Sequence, residues 1–259
     1  MGTTRFSGPL MYSGAGSASL GFGTWFRNLP LQCNPDYVMK WDDFTGVDID
    51  DTDDWTKSAL NSGTLTLLAD HVGGWAKSTG DGSTDNSGGS IQGNEIFMAE
   101  ASKKIFFEAT VAVADADDMD MFVGLAENGT LATGVPFAAA NQIGFLLVEG
   151  AADIYANCDS GGTETKTDTG IDFADGAEGS STISNTRRLG FVVTGTGTVE
   201  FYVDRVKKVT TTGNIPTSAL TPWFAAMSGT TTADAAWCDY IMVAAQRVTD
   251  GMSEYDDQP

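Results

Sequence analysis

Hydrophobic and polar residues alternate with a period of two over several stretches of this chain, which is the pattern of half-buried β-strands. The pattern is clearest in residues 187–209, where two alternating arms flank a short segment that contains Gly195 and Gly197. We expect these glycines to supply the positive φ that a hairpin turn needs, with a second turn beginning at Asp204. The apolar residues expected to face the core are Leu189, Phe191, Val193, Val199, Phe201 and Val203.

Residues 105–113 show the same alternation, and we expect their odd-numbered side chains to meet the core. No stretch of comparable length has a clean helical period, and many of the 31 glycines fall between strand candidates. The sequence therefore predicts an all-β, antiparallel β-sandwich with little helix. The other predicted strands are residues 41–44, 65–68, 74–75, 91–98, 121–125, 143–148, 153–157, 223–227 and 237–245.

The ends of the chain differ from this pattern. Residues 1–35 are rich in Gly and Ser with isolated aromatic residues, which predicts an extended N-terminal arm before a sandwich over 36–247 and an acidic tail over 248–259. The arm either docks on a partner or neighbouring subunit or packs on its own domain. Residues 160–185 are predicted to form a long acidic loop. The residues assigned to docking are Arg5, Phe6, Tyr12, Phe22, Trp25 and Phe26.

Charge and cysteine content narrow the classes of function. With 35 acidic and 14 basic residues the net charge is −21, so we expect no direct binding to nucleic acid or anionic membranes. No signal peptide or membrane span is expected, which predicts synthesis and folding in the cytoplasm. Cys33, Cys158 and Cys238 are scattered, so we expect reduced packing thiols rather than a disulfide framework or a zinc site.

Candidate catalytic residues form no convincing set. A glycosidase needs two carboxylates facing one cleft, about 5.5 to 9.5 Å apart. Glu200 and Asp204 are four residues apart, but Asp204 is expected in a turn, and Glu95 and Glu100 lack an intervening aspartate. His71 is the only histidine and is expected near a turn, in a surface or packing role. From these residues we predict that the chain is not an enzyme and needs no cofactor.

The sequence leaves two kinds of ligand open, Ca²⁺ and a sugar. The aspartate runs at 48–54 and 115–120 could bind Ca²⁺, although neither fits an EF-hand loop and a solvated acidic loop is the commoner structure. Trp75 with Asn86 or Asn94, and Trp223, could bind a sugar by stacking and hydrogen bonds. Core packing is the expected role of most of the six tryptophans.

Five short segments stand out together: Trp-Asp-Asp-Phe at 41–44, the acidic stretch through Trp55, Gly-Leu-Ala-Glu at 124–127, Phe-Tyr-Val-Asp at 201–204 and Cys-Asp-Tyr-Ile at 238–241. Together they resemble the concanavalin A-like (laminin-G-like) jelly-roll fold, and in particular structural proteins of tailed bacteriophages. The resemblance covers about residues 36–247, and the opening segment 4–9 is similar to phage proteins encoded near the major capsid protein.

The resemblance implies a virion protein on the capsid exterior, of the decoration or cement type, that binds the major capsid protein. Avidity over many symmetric copies would hold it there, which also implies a homo-oligomer, a dimer or a trimer. A carbohydrate-binding module, lectin-like or receptor-binding, is the alternative function. A glycoside hydrolase is the third alternative and requires a cleft with paired carboxylates.

Overall fold

The computed structural model describes residues 37–46, 48–49, 54–68, 71–132 and 135–247. In these ranges every regular element is a β-strand, and none contains a helix long and apolar enough to cross a bilayer. The strands are β1 Tyr37–Asp42, β2 Thr56–Leu60, β3 Thr64–Leu67, β4 Ala76–Thr79, β5 Ser87–Gln92, β6 Phe97–Met98, β7 Lys104–Val113, β8 Met119–Ala126, β9 Thr130–Ala132, β10 Val135–Ala138, β11 Asn141–Val148, β12 Ala151–Ser160, β13 Thr163–Asp172, β14 Arg187–Thr194, β15 Thr198–Val203, β16 Val206–Thr211, β17 Ala219–Ser228 and β18 Ala235–Gln246.

The strands build two eight-stranded antiparallel sheets that pack face to face. The first sheet has the order β16-β15-β14-β7-β18-β4-β3, with β1 also paired to β18. The second sheet has the order β13-β12-β11-β8-β17-β5-β2, with β6 also paired to β17. Strands β9 and β10 pair only with each other, as a separate hairpin. This arrangement confirms the predicted all-β, antiparallel sandwich.

The core lies between the inner faces of the two sheets and is rich in phenylalanine. Phe107 of β7 and Phe191 of β14 stack with their ring centres 4.8 Å apart, and Phe145 of the second sheet meets Phe201 edge to face at 5.3 Å. The odd-numbered residues of segment 105–113 all belong to this core, as do the alternating apolar residues of β14 and β15. The faces predicted from sequence alternation are therefore confirmed.

One turn, the short strand predicted at 74–75 and one long segment differ from the sequence-based expectation, since residues 74–75 form no strand, while the second turn begins at Asp204 as predicted. Gly195 has φ of 60°, whereas Gly197 is not in the positive-φ region, so the first hairpin needs only one such glycine. Asp204 and Arg205 both have positive φ, at 50° and 68°, in the second turn. The predicted loop at 160–185 is wrong in its first half, because residues 163–172 form strand β13 at the edge of the second sheet.

The two described cysteines are buried in the core as free thiols. Burial raises the pKa of Cys158 to about 12 and raises that of Cys238 well above its ordinary value. Both therefore pack as small apolar side chains, as expected, while Cys33 lies outside the described residues.

Candidate functional site

Strand β12 places a row of polar side chains on the outer face of the second sheet. Ile154, Ala156 and Cys158 of this strand belong to the core, so the residues between them point away from it. We call these outward residues the β12 row: Asp153, Tyr155, Asn157 and Asp159.

Asn157 is the most unusual member of the β12 row. Its side chain is fully buried, yet neither its Nδ2 nor its Oδ1 has a hydrogen-bond partner among the described residues. In register it lies opposite Gly144 of β11 on one side and Lys166 of β13 on the other. A buried amide without partners costs about 1–3 kcal/mol for each unmet group, so the position is destabilising unless something else meets it.

The next pair along the row is also short of hydrogen-bond partners. Asp159 lies opposite Gln142 of β11, and both residues are buried. Within the described part of the chain, neither the Oε1 of Gln142 nor the Oδ1 of Asp159 has a partner. Three neighbouring polar side chains on this face, Asn157 and Asp159 of β12 and Gln142 of β11, therefore present unmet donors or acceptors.

The Asp159 carboxylate is held in an unfavourable electrostatic setting. Burial raises its pKa, and the nearby carboxylates of Glu164 and Glu127 raise it further, against the opposing effect of hydrogen bonds from the Gly162 and Thr163 backbone N–H groups. Glu164 lies directly opposite Asp159 on β13, a like-charge cross-strand pair that destabilises a sheet. Such a pair next to unmet amides is typical of a binding or catalytic site.

A hydrogen-bonded scaffold fixes this end of the β12 row. Asn141 donates from Nδ2 to the Glu127 carboxylate at 2.8 Å, and its Oδ1 accepts from the Gly161 N–H at 3.1 Å. Glu127 also accepts from the Ala140 N–H at 2.7 Å. The ends of β8 and β11 and the turn between β12 and β13 are thus joined, which holds Gln142 and Asp159 in place.

The other end of the β12 row is aromatic and more accessible. The Tyr155 ring is partly exposed, its hydroxyl donates to Asp153 at 3.2 Å, and the Lys166 ammonium lies 4.9 Å from the ring centre. Burial and the neighbouring Asp153 and Asp168 carboxylates raise the Tyr155 pKa, so the phenol stays protonated. This end has the geometry of a cation–π site that currently contains a lysine.

The other half of the same face is closed by the β9–β10 hairpin. The rings of Phe122, Phe137 and Trp223 contact one another with centres 5.4 to 6.0 Å apart, and Trp223 is fully buried. Gln92 donates to the Gly129 carbonyl at 2.5 Å, just before β9, and Gly129 lies against the Trp223 ring. The proposed Trp223 stacking platform is therefore closed, and Trp75 is also buried.

A second polar cluster lies on the outer face of the first sheet. Tyr240 donates to the buried Glu108 carboxylate, and the Arg188 guanidinium lies 3.8 Å from it. Burial raises the pKa of Glu108, against the opposing effects of Tyr240 and Arg188. This cluster also contains unmet groups, because the Oε2 of Glu108 and the Nε of Arg188 have no hydrogen-bond partner among the described residues.

Of the carboxylates considered from sequence for glycosidase chemistry, Glu95 and Glu100 line one open pocket, whereas Glu200 and Asp204 do not belong to its lining. Glu200 accepts from Lys207 at 2.8 Å, while Asp204 pairs with Arg187 at 3.0 Å in its turn. Glu95 accepts the Asn128 N–H at 2.6 Å, and Glu100 pairs with Lys103. Each is used in a local structural contact.

The remaining candidates have structural roles or lie outside the described ranges. His71 precedes a turn, and its Nε2 lies 3.1 Å from the Gly179 carbonyl. Within the described residues, no group of three or more His, Cys, Asp or Glu side chains is arranged to hold a metal ion, and residues 50–53 of the first aspartate run lie outside those residues. The six residues assigned to the docking arm, Arg5, Phe6, Tyr12, Phe22, Trp25 and Phe26, all lie outside the described part of the chain.

Sequence reasoning missed the β12 row. The strand itself was predicted, and its polar residues alternate with apolar ones, which marks an outer face. The sequence does not show that Asn157 is buried. An asparagine on the outer face of a sheet is usually exposed to water, and only the folded structure shows that this one is not.

Comparison with known proteins gives the fold but no family. No protein-family model and no curated protein matches the sequence. Among solved structures, a native glycosidic hydrolase matches with a TM-score of 0.55 and 15% identity, covering 80% of this chain and 95% of the other. SCLam, a non-specific endo-β-1,3(4)-glucanase of family GH16, matches with a TM-score of 0.55 and 12% identity, covering 84% and 94%. A Bacillus licheniformis β-glucanase matches with a TM-score of 0.54 and 14% identity, covering 84% and 100%.

These neighbours establish a concanavalin-like jelly roll and correct one prediction. The expectation that the chain is not an enzyme is contradicted, because these neighbours are glycoside hydrolases and the fold is one that carries catalysis. The absence of a familiar catalytic strand in the sequence was too narrow a reason to exclude an enzyme. No comparison supports a capsid role, which stays a prediction.

Proposed function

We propose that this chain is a carbohydrate-active protein that binds a saccharide along the β12 row. The observation that carries the proposal is the buried Asn157 side chain, whose donor and acceptor both have no partner among the described residues. A sugar hydroxyl donates and accepts at once, so neighbouring hydroxyls of one sugar ring can meet both atoms of an amide.

Two further features support a saccharide. Tyr155 offers part of an aromatic ring on the same row, and aromatic faces are suited to the apolar faces of sugar rings. Two structural neighbours that share the fold of this chain are named as glucanases, which are enzymes that act on glucans. The capsid alternative has no comparable observation in its favour.

Access to the row starts at its exposed end. Lys166 is exposed and lies opposite Asn157 in register, while its ammonium reaches over Tyr155. A lysine side chain changes rotamer on the ps–ns timescale, so a ligand that stacks on Tyr155 can displace it and reach the amide.

The test replaces Asn157 by leucine, which has nearly the same shape but no polar atoms. Because the amide has no described partner, we expect Asn157→Leu to raise the free energy of unfolding by about 1 kcal/mol in denaturant titrations. The same variant should weaken saccharide binding at least about tenfold in affinity electrophoresis or calorimetry, since each lost hydrogen bond to the ligand costs about 1 kcal/mol or more.

The matched control is Thr210→Ala, an exposed position on β16 of the first sheet. It should leave both stability and binding nearly unchanged. Release of reducing ends is measured on the same saccharides, because the structural neighbours include hydrolases. A loss of stability in Asn157→Leu with unchanged binding would show that the amide serves the fold and would contradict the proposal.

A further inference from the structure

The surroundings of the β12 row are strongly acidic. Asp159, Tyr155 and Asp153 lie opposite Glu164, Asp168 and Asp172 of β13, in that order. Lys166 is the one basic residue in the sequences of β12 and β13. An anionic saccharide would meet repulsion along the whole row, whereas a cation would be attracted.

The row also contains a carboxylate oxygen that lacks a donor. Asp159 is only 9% exposed, and its Oδ1 has no hydrogen-bond partner among the described residues. Glu164 faces it across the strand pair, and Glu127 is close enough to raise its pKa. A positive donor placed here would satisfy the oxygen and offset the repulsion among three carboxylates.

The position of Lys166 shows that the other end of the row accepts an ammonium group. Its Nζ lies 4.9 Å from the Tyr155 ring centre, and Asp153 and Asp168 flank that ring closely enough to raise the pKa of the phenol. A ligand ammonium could take the same place once the lysine side chain moves aside.

We propose that the saccharide bound by the β12 row is a polymer of amino sugars with free ammonium groups, recognised by Asp159 and by the Tyr155 face. This inference rests on the proposed function, because it specifies the chemical class of the same ligand. The amide of Asn157 would meet the hydroxyls, and the carboxylates would meet the ammonium groups.

The experiment compares four soluble oligosaccharides of equal length by calorimetry at neutral pH and low salt. They are a glucosamine oligomer, its fully N-acetylated form, a neutral glucan oligomer and a galacturonate oligomer. We expect the glucosamine oligomer to bind at least about tenfold more tightly than the N-acetylated form, and this preference to shrink in 0.5 M NaCl.

The key variant is Asp159→Asn, which keeps the shape and removes the charge. It should reduce binding of the glucosamine oligomer at least about tenfold, a clearly larger loss than it causes for the neutral glucan oligomer. Asp204→Asn, in the β15–β16 turn of the other sheet, is the matched control and should change neither affinity.

The outcomes separate this inference from the proposed function. Equal binding of glucosamine, N-acetylated and neutral oligomers would overturn the inference and leave the saccharide site standing. No binding of any oligosaccharide would overturn both. Binding of oligolysine as tight as that of the glucosamine oligomer would show that the β12 row binds positive charge without recognising the sugar. This result would also overturn the inference.

Discussion

Single side chains on the two outer faces show how hydrogen-bond partners decide what a buried polar group does. Glu108, on the first sheet, is buried but receives a hydrogen bond from Tyr240 and lies near Arg188. Asn157, on the second sheet, is buried without partners among the described residues. One oxygen of Glu108 thus has a donor while its Oε2 has none, whereas both polar atoms of Asn157 are unmet, and hydrogen bonds to either residue would lower the free energy.

Asp239 gives the protein a pH-dependent stability at the residue scale. Burial and the Asp43 carboxylate raise its pKa from 3.8 to about 6, against the opposing effect of Arg188. The folded state therefore binds the proton more tightly than the unfolded chain, so the contribution is present below about pH 4 and is lost as the pH rises through 6.

We expect Asp239→Asn to remove this part of the pH dependence. A full shift of that size corresponds to about 3 kcal/mol, and solvent screening of a half-exposed group reduces it to about 1 kcal/mol. Denaturant titrations from pH 4 to 7 should show the wild-type protein losing that much more stability than the variant. Parallel stability curves for the two proteins would contradict the assignment.

The two core thiols should be unreactive in the folded protein. The pKa of Cys158 is raised to about 12 by burial, and Cys238 is shifted in the same direction, so neither forms a thiolate near pH 8. Peptide mapping after iodoacetamide treatment should find both unlabelled in the native protein and both labelled in guanidinium chloride. Rapid labelling of either in the native state would contradict the core placement.

At the element scale, the close pairing of β8 and β11 depends on glycine. A Cβ added at Gly144 would lie 2.6 Å from the Val123 carbonyl and 2.8 Å from the Phe122 ring. We expect Gly144→Ala to lower the free energy of unfolding by about 3 kcal/mol, because two paired strands would have to separate.

The control for this substitution is Gly197→Ala in the β14–β15 turn. An added Cβ there has no neighbour within 4 Å, and the residue does not have positive φ. Its stability should change by less than about 1 kcal/mol. Equal effects of the two alanine substitutions would show that the sheet tolerates a side chain at Gly144.

The elements predicted from sequence were those in which one face is apolar. β7, β14 and β15 alternate large apolar residues with others, and burial of one face fixes their register. β13 was missed because it is an edge strand without a row of large apolar residues. Its signal was a threonine at every second position from 163 to 169, which is typical of an exposed strand.

The candidate site was less predictable than the strands that carry it. The alternation in β12 places Asn157 and Asp159 on one face, but their burial and lack of partners depend on the hairpin neighbours β11 and β13, and β13 was not predicted. The tight β12–β13 turn pairs Asp159 with Glu164, five residues further along the chain, and this pairing could not be predicted without β13.

At the scale of the whole molecule, the charge restricts the class of ligand, and the comparisons give the fold alone. The net charge of −21 disfavours anionic ligands. The acidic residues around the β12 row would also repel an anion at that site. The jelly roll is shared with glucanases, whereas the predicted roles in a virion, with a major capsid protein as partner, have no finding in their favour and stay predictions.

The most direct measurement is NMR mapping of an isotope-labelled protein during titration with a glucosamine oligomer. We predict that the Asn157 side-chain amide and the backbone signals of Tyr155, Asp159 and Lys166 shift first and saturate together, while signals around Glu108 and Tyr240 stay in place. Saturable shifts confined to the first sheet, or no shifts with any saccharide tested, would contradict a saccharide site on the β12 row.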